Sequence, residues 1–364
     1  MSDFDELKAD LGSNGNSRKR GISRRGLLQA AGLTSATAGV ATLSSHPALA
    51  GQGKGSLMTE HFDPHAMGAV GRVDTSVFDP TVFLRSWNFS HLPDAERQRF
   101  YRESPQADGS RLREYEIFAV DREIEIAPGV FFPAWSYNGQ VPGPTLRATE
   151  GDRVRIRFVN QGTHPHTMHF HGWHPPEMDG SLMEHQVLPD QEFIYEFDAE
   201  PFGVHLYHCH SVPLKRHIHK GLYGAFIVDP KEARESADEL VMLMNGFDTN
   251  FDGDNEVYAI NTVAFHHIHA PIKVKIGELV RMYVINVTEF DPVNSLHLHG
   301  MFFDIFRTGT RRESYETADT VMMCQGERTI LETRFRYPGL FMFHAHQSEF
   351  AELGWMGFFT AVEG

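Results

Sequence analysis

From Arg111 onward the chain consists of short stretches in which apolar and polar residues alternate. Residues 113–160 show a period of two, and Asn-Gly, Pro-Gly-Pro and Glu-Gly-Asp turns separate the stretches. This period is typical of β-strands, and the stretches show no helical period. Residues 269–287 and 326–346 repeat the pattern in the second half of the chain. The pattern therefore predicts an all-β protein built from sandwich domains.

Two regions lack this alternation. Residues 51–111 mix turn residues, aromatic residues and charges, and residues 231–245 lie between the two β-rich halves. We interpret the first region as an N-terminal arm and the second as the connection between two domains. The predicted organisation is a signal segment over 1–50, the arm over 51–111, a first domain over 112–230 and a second domain over 231–364.

The N-terminus has the features of an export signal. An Arg24-Arg25 pair precedes an apolar, alanine-rich run to about Val40, and Ala48-Leu49-Ala50 matches a cleavage site. The paired arginines resemble a twin-arginine signal. The apolar run is too short and too rich in Gly, Ser and Thr to span a membrane well. We therefore expect a cleaved signal, no membrane span and an exported protein, periplasmic or extracellular.

Composition excludes two other classes of protein. The net charge of −15 argues against a nucleic-acid partner, because phosphate binding requires a basic surface. With only Cys209 and Cys324, the chain cannot form a disulfide framework or a zinc site built on several cysteines. Cys324 has no histidine beside it, and we expect it to be a buried free thiol. The unusual count is that of histidine, which occurs 22 times and is clustered.

The two halves of the chain are an internal repeat. Four pairs of segments match, namely 151–160 with 277–286, 166–172 with 294–300, 203–210 with 339–346 and 221–224 with 354–357. Both halves keep two His-x-His motifs. Three potential metal ligands of the first half are missing from the second: His166, Cys209 and His217 are replaced by Asn294, Ala345 and, approximately, Phe350. Because the three ligands are lost together, we infer that they belong to one site.

The ligand types indicate copper at this first site. A soft thiolate with two imidazoles suits copper that cycles between two oxidation states, and a trigonal His₂Cys set is the blue-copper arrangement. We expect Leu222, five residues past His217, at the axial position. Because leucine cannot ligate a metal and axial ligation tunes the potential, we predict a relatively high reduction potential.

The His-x-His motifs predict a second site. Residues i and i+2 share one face of a strand, so each motif presents two imidazoles together. The four motifs are His169/His171, His208/His210, His297/His299 and His344/His346. Eight neutral imidazoles are too many for one metal ion and suit a cluster of copper ions. The histidine faces of the two domains must therefore meet, either within one chain or between chains.

These motifs make residues 112–364 resemble a two-domain, laccase-like multicopper oxidase. HFHGWHPPEMDG and LYHCH…GLYGAFIV resemble the first domain of a laccase, with Cys209 at the middle serine of its HSH motif. NSLHLHGMFFDIF and GLFMFHAH resemble the last laccase domain without its blue-copper ligands. The resemblance implies two cupredoxin-like Greek-key β-sandwich domains. It also implies a homotrimer, with each copper cluster between domain 1 of one subunit and domain 2 of the next.

The resemblance also implies individual roles. His169 and His297 would hold the type 2 copper, and the type 3 pair would be held by His171, His208, His210, His299, His344 and His346. Asp179 is the candidate proton relay by the same resemblance, whereas a plain turn at Asp179-Gly180 is the alternative. The predicted reaction takes single electrons from a phenol, an aromatic amine or a metal ion at the type 1 copper. The electrons would pass through Cys209 to His208 and His210, and O₂ would be reduced to water at the cluster.

Two alternatives stay open. A copper nitrite reductase also has two cupredoxin domains and a blue copper in domain 1. That family carries an aspartate three residues after the first blue-copper histidine, where this chain has His169. A non-catalytic copper-binding or electron-transfer protein is the alternative from another class. It would need only His166, Cys209 and His217 and would leave the other eight histidines without a role.

Overall fold

The computed structural model describes residues 73–364. The predicted signal segment and the first part of the predicted arm lie outside the described residues. Two short helices, α1 (Pro80–Phe83) and α2 (Asp94–Phe100), precede the first strand. No helix within residues 73–364 is long and apolar enough to cross a membrane.

The first domain consists of two sheets. Its strands are β1 (Tyr101–Pro105), β2 (Arg111–Ala127), β3 (Val130–Tyr137), β4 (Leu146–Thr149), β5 (Arg153–Asn160), β6 (His169–Phe170), β7 (Glu192–Asp198), β8 (Gly203–His208) and β9 (Tyr223–Asp229). One sheet has the order β1-β2-β5-β7, with β3 paired to β2, and the other has the order β4-β9-β8-β6. Helix α3 (Leu214–His219) connects β8 to β9, and 3₁₀ turns at Pro176–Met178 and Met183–His185 follow β6. Strand β1 lies within the predicted arm and pairs with β2.

The second domain also consists of two sheets. Its strands are β10 (Asp238–Phe247), β11 (Val257–Ile260), β12 (Ile272–Lys275), β13 (Val280–Asn286), β14 (Val293–Leu298), β15 (Phe303–Arg307), β16 (Glu316–Ala318), β17 (Thr320–Cys324), β18 (Arg328–Thr333), β19 (Gly339–His344) and β20 (Met356–Val362). The sheet orders are β11-β10-β13-β18-β15-β16 and β12-β20-β19-β14-β17. Helix α4 (His266–His269) lies between β11 and β12, and α5 (Ser348–Glu352) lies between β19 and β20. The prediction of an all-β protein is confirmed.

The internal repeat is visible in the strand pairing. β2 pairs parallel with β5 as β10 does with β13, and β4 pairs parallel with β9 as β12 does with β20. The helices α3 and α5 occupy equivalent connections. The backbone N–H of Leu222 donates to the carbonyl of His217, and that of Trp355 donates to the carbonyl of Phe350. Phe350 is therefore the structural counterpart of His217.

Burial explains which strands alternate in sequence. In β5, the side chains of Val154, Ile156 and Phe158 are fully buried and the arginines between them are not. A strand with one solvated face shows the period of two. Strands β8, β9 and β10 are buried on both faces, because an apolar layer between the two domains covers their second face.

Strand β10 corrects the predicted connection over residues 231–245. Residues Asp238–Phe247 form a strand that pairs with β11 and β13, so the connection is limited to the residues before Asp238. The run ELVMLMN does not alternate because both of its faces are buried, and such a strand cannot be identified from a period of two.

A buried ion-pair network joins the domains. Arg147 of β4 donates to Asp229 at the end of β9 and to Glu239 of β10. Glu239 also accepts hydrogen bonds from Arg281 and from the Tyr283 hydroxyl of β13. Burial alone would raise the pKa of Glu239, but the hydrogen bonds from Arg147 and its neighbours outweigh burial and lower it. This charged pair therefore stays ionised and fixes β4 against β10.

Candidate metal centres

The three side chains of the predicted blue-copper site lie together beneath the surface of the first domain. His166 precedes β6, Cys209 follows β8, and His217 lies in α3; each is at most 2% exposed. The Nδ1 atoms of His166 and His217 are 3.2 Å apart. The Cys209 Sγ lies 3.2 Å from the His217 Nδ1 and 3.9 Å from the His166 Nδ1. The structure thus brings all three predicted donor atoms to one point.

Backbone hydrogen bonds hold this point rigid. The Cys209 N–H donates to the carbonyl of Leu222 over 2.9 Å, and the Thr167 N–H donates to the Cys209 Sγ over 3.4 Å. The Leu222 side chain is fully buried in the same apolar core as Cys209. Leu222 therefore lies beside the ligands, and its side chain offers no donor atom.

The donor set fits a copper ion. Metal bonds of about 2.0 Å to imidazole nitrogen and 2.3 Å to sulfur place the corners of a trigonal site roughly 3.5 Å apart, close to the observed separations. Burial lowers the pKa of His166 to about 3 and that of His217 to about 4, so both rings are neutral ligands at pH 7. Burial raises the pKa of Cys209, so the thiol binds a metal only by giving up its proton.

The histidines of the first-domain His-x-His motifs form a second group, on the other side of Cys209. His169 on β6 and His208 on β8 are directly paired in register, with ring centroids 5.1 Å apart. The Nε2 atoms of His171 and His208 are 3.2 Å apart. The ring of His210 lies 5.2 Å from that of His169. We call these four residues the first histidine set.

Backbone carbonyls orient two of these rings. The His169 Nδ1 bonds to the carbonyl of Asp179 over 2.8 Å, and the His208 Nδ1 bonds to that of Cys209 over 3.0 Å. A carbonyl only accepts, so each Nδ1 carries the proton and each Nε2 keeps a lone pair for a metal. Burial also lowers the pKa of His171 to about 2 and that of His208 to about 4, which keeps these rings neutral.

The second domain repeats this geometry with His297, His299, His344 and His346, which we call the second histidine set. His297 on β14 pairs in register with His344 on β19. The Nε2 atoms of His299 and His344 are 2.9 Å apart. The His297 Nδ1 bonds to the carbonyl of Asp319, and the His344 Nδ1 bonds to that of Ala345. Ala345 takes the place of Cys209, so this domain presents histidines without the thiolate.

The two histidine sets do not meet within one chain. In the described range 73–364, their ligand atoms form separate groups, and no ring contact or hydrogen bond joins one set to the other. The first set opens onto a cavity of about 640 Å³ whose opposite wall includes Val287, Glu289 and Gln325 of the second domain. Each chain therefore carries two separate half-sites.

Asp179 lies next to the first histidine set. Its carboxylate is 3.2 Å from the His169 Nδ1 and 3.7 Å from the His174 Nε2, and it accepts a hydrogen bond from the Ser181 hydroxyl. Partial burial acts to raise the pKa of Asp179, but the Ser181 hydrogen bond and the nearby histidines outweigh it, and the pKa is lowered. Asp179 also ends a 3₁₀ turn before Gly180, which has a φ of +73°. Asp179 therefore both ends a turn and contacts the histidines.

The sequence interpretation missed two residues of this region. Asp319 supplies the second domain's counterpart of the Asp179 carbonyl, but it follows a longer loop and does not align with Asp179 in the repeat. Arg328 of β18 reaches into the first domain, where its Nη1 lies 3.1 Å from the His171 Nδ1. That contact depends on how the domains pack, so no motif could have indicated it.

One expectation about cysteine is wrong. The sequence predicts a buried Cys324, whereas the residue is exposed at the end of β17. β17 is an edge strand, and its residues alternate, with Val321 and Met323 buried and Met322 and Cys324 facing outward. The run VMMC is apolar throughout, and this composition conceals the alternation.

Known proteins are similar to this chain in sequence and in structure. The sequence profile of the family described as Multicopper oxidase matches residues 121–233, and a second profile with the same description matches residues 236–364. A crystal structure described as a multicopper oxidase is 53% identical, with a TM-score of 0.75, and the match covers 80% of this chain and 100% of that one. The copper-containing nitrite reductase of Neisseria meningitidis serogroup A is 29% identical over 247 residues, or 62% of this chain and 63% of that protein. Laccase 1 of Metarhizium acridum is 41% identical over 102 residues, or 27% of this chain and 16% of that laccase. The chain thus spans less than two thirds of the length of these two relatives.

Proposed function

This chain belongs to the multicopper oxidase family, and we propose that it is a laccase-like oxidase that takes single electrons from a small donor and reduces O₂ to water. The observation that carries this proposal is the position of Cys209. Its side chain completes the group with His166 and His217, while its two neighbours in sequence belong to the first histidine set. A one-electron site and a cluster site are therefore joined by a single peptide segment.

The side chains of the two sites have different roles. We propose that His166, Cys209 and His217 hold a type 1 copper and that the two histidine sets hold a type 2/type 3 cluster. When bound, copper supplies one-electron transfer at the first site and four-electron reduction of O₂ at the second. The chain orients the ligands through fixed carbonyls, keeps the imidazoles neutral by burial and excludes water from Cys209. The Cys209 backbone provides the covalent connection to His208 and His210.

Completion of the cluster requires a second chain. Because the two histidine sets of one chain lie apart, we propose that the first set of one subunit meets the second set of its neighbour. An interface that joins two different surfaces closes into a ring when the rotation allows it, and a homotrimer is such a ring. The family resemblance of residues 112–364 leads to the same arrangement.

Protons must reach the cluster as well, because the reduction of O₂ to water consumes them. We propose Asp179 as the relay: its carboxylate is ionised at neutral pH and lies 3.2 Å from a ring nitrogen of His169. A carboxylate in this position can accept a proton from solvent and hold it beside the histidine set.

The proposal also includes export of the protein from the cytoplasm. The Arg24-Arg25 pair and the Ala48-Leu49-Ala50 site support a cleaved signal of the twin-arginine type. We therefore propose a periplasmic or extracellular protein whose partners are a small electron donor and O₂. Comparing the N-terminal residue of the protein recovered outside the cytoplasm with residue 51 tests this part of the proposal.

Nitrite reduction is the second candidate, because copper nitrite reductases align over 247 residues. Two observations count against it. His169 stands where that family has its aspartate, and its ring belongs to the first histidine set. The eight histidines are also more than one mononuclear copper requires. O₂ uptake with a phenol, compared with nitrite consumption with a reduced donor, distinguishes the two activities.

The experiment that tests the division into two sites is Cys209→Ser. We expect this change to abolish the blue absorption and turnover while the cluster copper stays bound. Cys324→Ser is the matched control, because Cys324 is exposed and belongs to none of the possible metal-ligand groups in the described residues, and it should leave both properties unchanged. Loss of all copper from Cys209→Ser, with Cys324→Ser unaffected, would contradict the two-site division.

A further inference from the structure

The proposed type 1 ligands have no direct exposure to an outside electron donor. His166 and Cys209 are fully buried, and His217 is 2% exposed. A donor that stays in solution must therefore pass its electron through whatever covers these residues. The residue that covers both imidazoles is Trp135 of β3.

Trp135 contacts both histidine ligands of the site. Its ring centroid is 4.8 Å from that of His217 and 5.3 Å from that of His166. The backbone N–H of Trp135 donates to the carbonyl of Lys220 over 2.8 Å, which ties β3 to the segment that follows α3. The indole is only 5% exposed, so it forms a fixed layer between the ligands and the surface.

A second layer covers the outer side of the indole. The exposed ring of His164 lies over Trp135, with centroids 4.4 Å apart. The guanidinium of Arg216, which is also exposed, lies 5.4 Å from the Trp135 ring centroid. The ammonium of Lys220, which is buried, lies 5.6 Å from the same centroid. From solvent inward, the order is His164 and Arg216, then the indole, then the two ligand imidazoles.

The charges of this surface select the donor. Arg216 places an exposed cation beside the indole, and Lys220 places a second, buried one there, in a chain whose net charge is −15. The carboxylate of Asp121 is also close, because Asp121 pairs with Trp135 across β2 and β3, and it accepts a hydrogen bond from the Thr163 hydroxyl. A local excess of positive charge on an acidic protein attracts anions and concentrates them at that point.

We propose that the surface formed by His164 and Arg216 over Trp135 is the docking site for anionic one-electron donors, and that Trp135 is the contact through which the electron reaches the ligands. The proposal rests on the oxidase function, because it presupposes a copper held by His166, Cys209 and His217. In the step, the donor anion would lose one electron, and a Cu(II) ion held by these ligands would take it up and become Cu(I). No bond forms or breaks, and no proton moves.

Binding can be tested without turnover. The full-length exported protein is labelled with 5-fluorotryptophan and titrated with hexacyanochromate(III), a redox-inert paramagnetic anion, while ¹⁹F NMR is recorded. The Trp135 resonance is assigned by its absence in Trp135→Phe. We expect this resonance to broaden at lower anion concentration than that of Trp355, which is buried in the second domain. Arg216→Gln should weaken the binding roughly tenfold, and Arg102→Gln, on exposed β1, should leave it unchanged.

Electron delivery is tested by anaerobic stopped-flow reduction of the blue absorption with ferrocyanide. Arg216→Gln should raise the half-saturating ferrocyanide concentration with little change in the limiting rate. Trp135→Phe should lower the limiting rate with little change in half-saturation. Trp135→Phe should also retain the blue absorption, because a phenyl ring keeps the cover over His217.

The outcomes separate this proposal from the oxidase function. Equal broadening of all tryptophan resonances, or unchanged affinity in Arg216→Gln, would overturn the docking site even if the protein consumes O₂. An unchanged limiting rate in Trp135→Phe would overturn the role of the indole. Absence of O₂ uptake by the wild type, with selective broadening of the Trp135 resonance intact, would refute the oxidase function and leave the anion site standing.

Discussion

Trimers that combine two different variant subunits test whether each copper cluster forms between subunits. His171 and His299 occupy mirror positions, because their Nε2 atoms face those of His208 and His344 at 3.2 and 2.9 Å. His171→Ala damages only the first histidine set, and His299→Ala damages only the second. Each variant alone should lose O₂ reduction, since every cluster then contains one damaged half. Both should keep the blue absorption, because His166, Cys209 and His217 are unchanged.

Activity should return when the two variants share one ring. A competent cluster forms wherever the first set of a His299→Ala chain meets the second set of a His171→Ala chain. A mixed trimer contains one such junction whichever variant supplies two chains, so we expect about one third of the wild-type O₂ uptake per trimer. The two chains are co-expressed with different affinity tags and purified through both tags in turn, which leaves only mixed rings.

The O₂ uptake of these mixed rings is compared with that of a control preparation. Mixed rings of His171→Ala with wild-type chains, prepared in the same way, serve as the control and show that tagging and mixing preserve turnover. If each cluster were built within one chain, the doubly tagged rings of the two variants would show no O₂ uptake at all. That result, with an active control, would refute assembly between subunits.

The remaining predictions concern single residues. Asp179→Asn should slow O₂ uptake by roughly a hundredfold and leave the blue absorption unchanged, and an unchanged rate would exclude the relay. Leu222→Met should lower the reduction potential measured by spectroelectrochemistry, because a thioether can ligate where leucine cannot; an unchanged potential would remove Leu222 from the axial position. Glu239→Gln should destabilise the protein to urea by about 3 kcal/mol, because Arg147 and Arg281 each lose one of their two charged partners at a carboxylate only 14% exposed. Glu192→Gln, in a half-exposed ion pair, should cost less than about 1 kcal/mol. The fold lowers the pKa of Glu239, so its stabilising effect is complete above the unfolded pKa of 4.5 and is lost as the pH falls through the folded pKa. The difference in unfolding free energy between Glu239→Gln and the wild type should therefore shrink in acid.

Sequence reasoning was strongest where two copies of one motif could be compared. The joint replacement of His166, Cys209 and His217 in the second copy grouped three residues that the structure brings within 4 Å of one another. The approximate match of His217 to Phe350 is also correct, because both carbonyls accept the same backbone hydrogen bond. Strand periodicity also identified the all-β fold, because the alternation of apolar and polar residues follows from local burial. Binding of copper by these residues stays a prediction.

What could not be predicted depends on packing between distant segments. The contact of Arg328 with His171 crosses the domain interface, and Trp135 reaches the ligands from a strand that carries no ligand itself. The buried strand β10 gave no periodic signal because its two faces are equally apolar. Cys324 was the opposite case: the absence of a neighbouring histidine led to the prediction of a buried thiol, but the residue lies exposed on a strand at the edge of a sheet.

The central claim is that one chain supplies one electron-entry copper and the equivalent of one O₂-reducing cluster. Its most direct test is the copper content of the purified protein, measured together with the stoichiometry of donor oxidation. The account predicts about four copper ions per chain and four donor electrons consumed per O₂, with no peroxide released. About two copper ions per chain, with nitrite consumed and O₂ ignored, would contradict it.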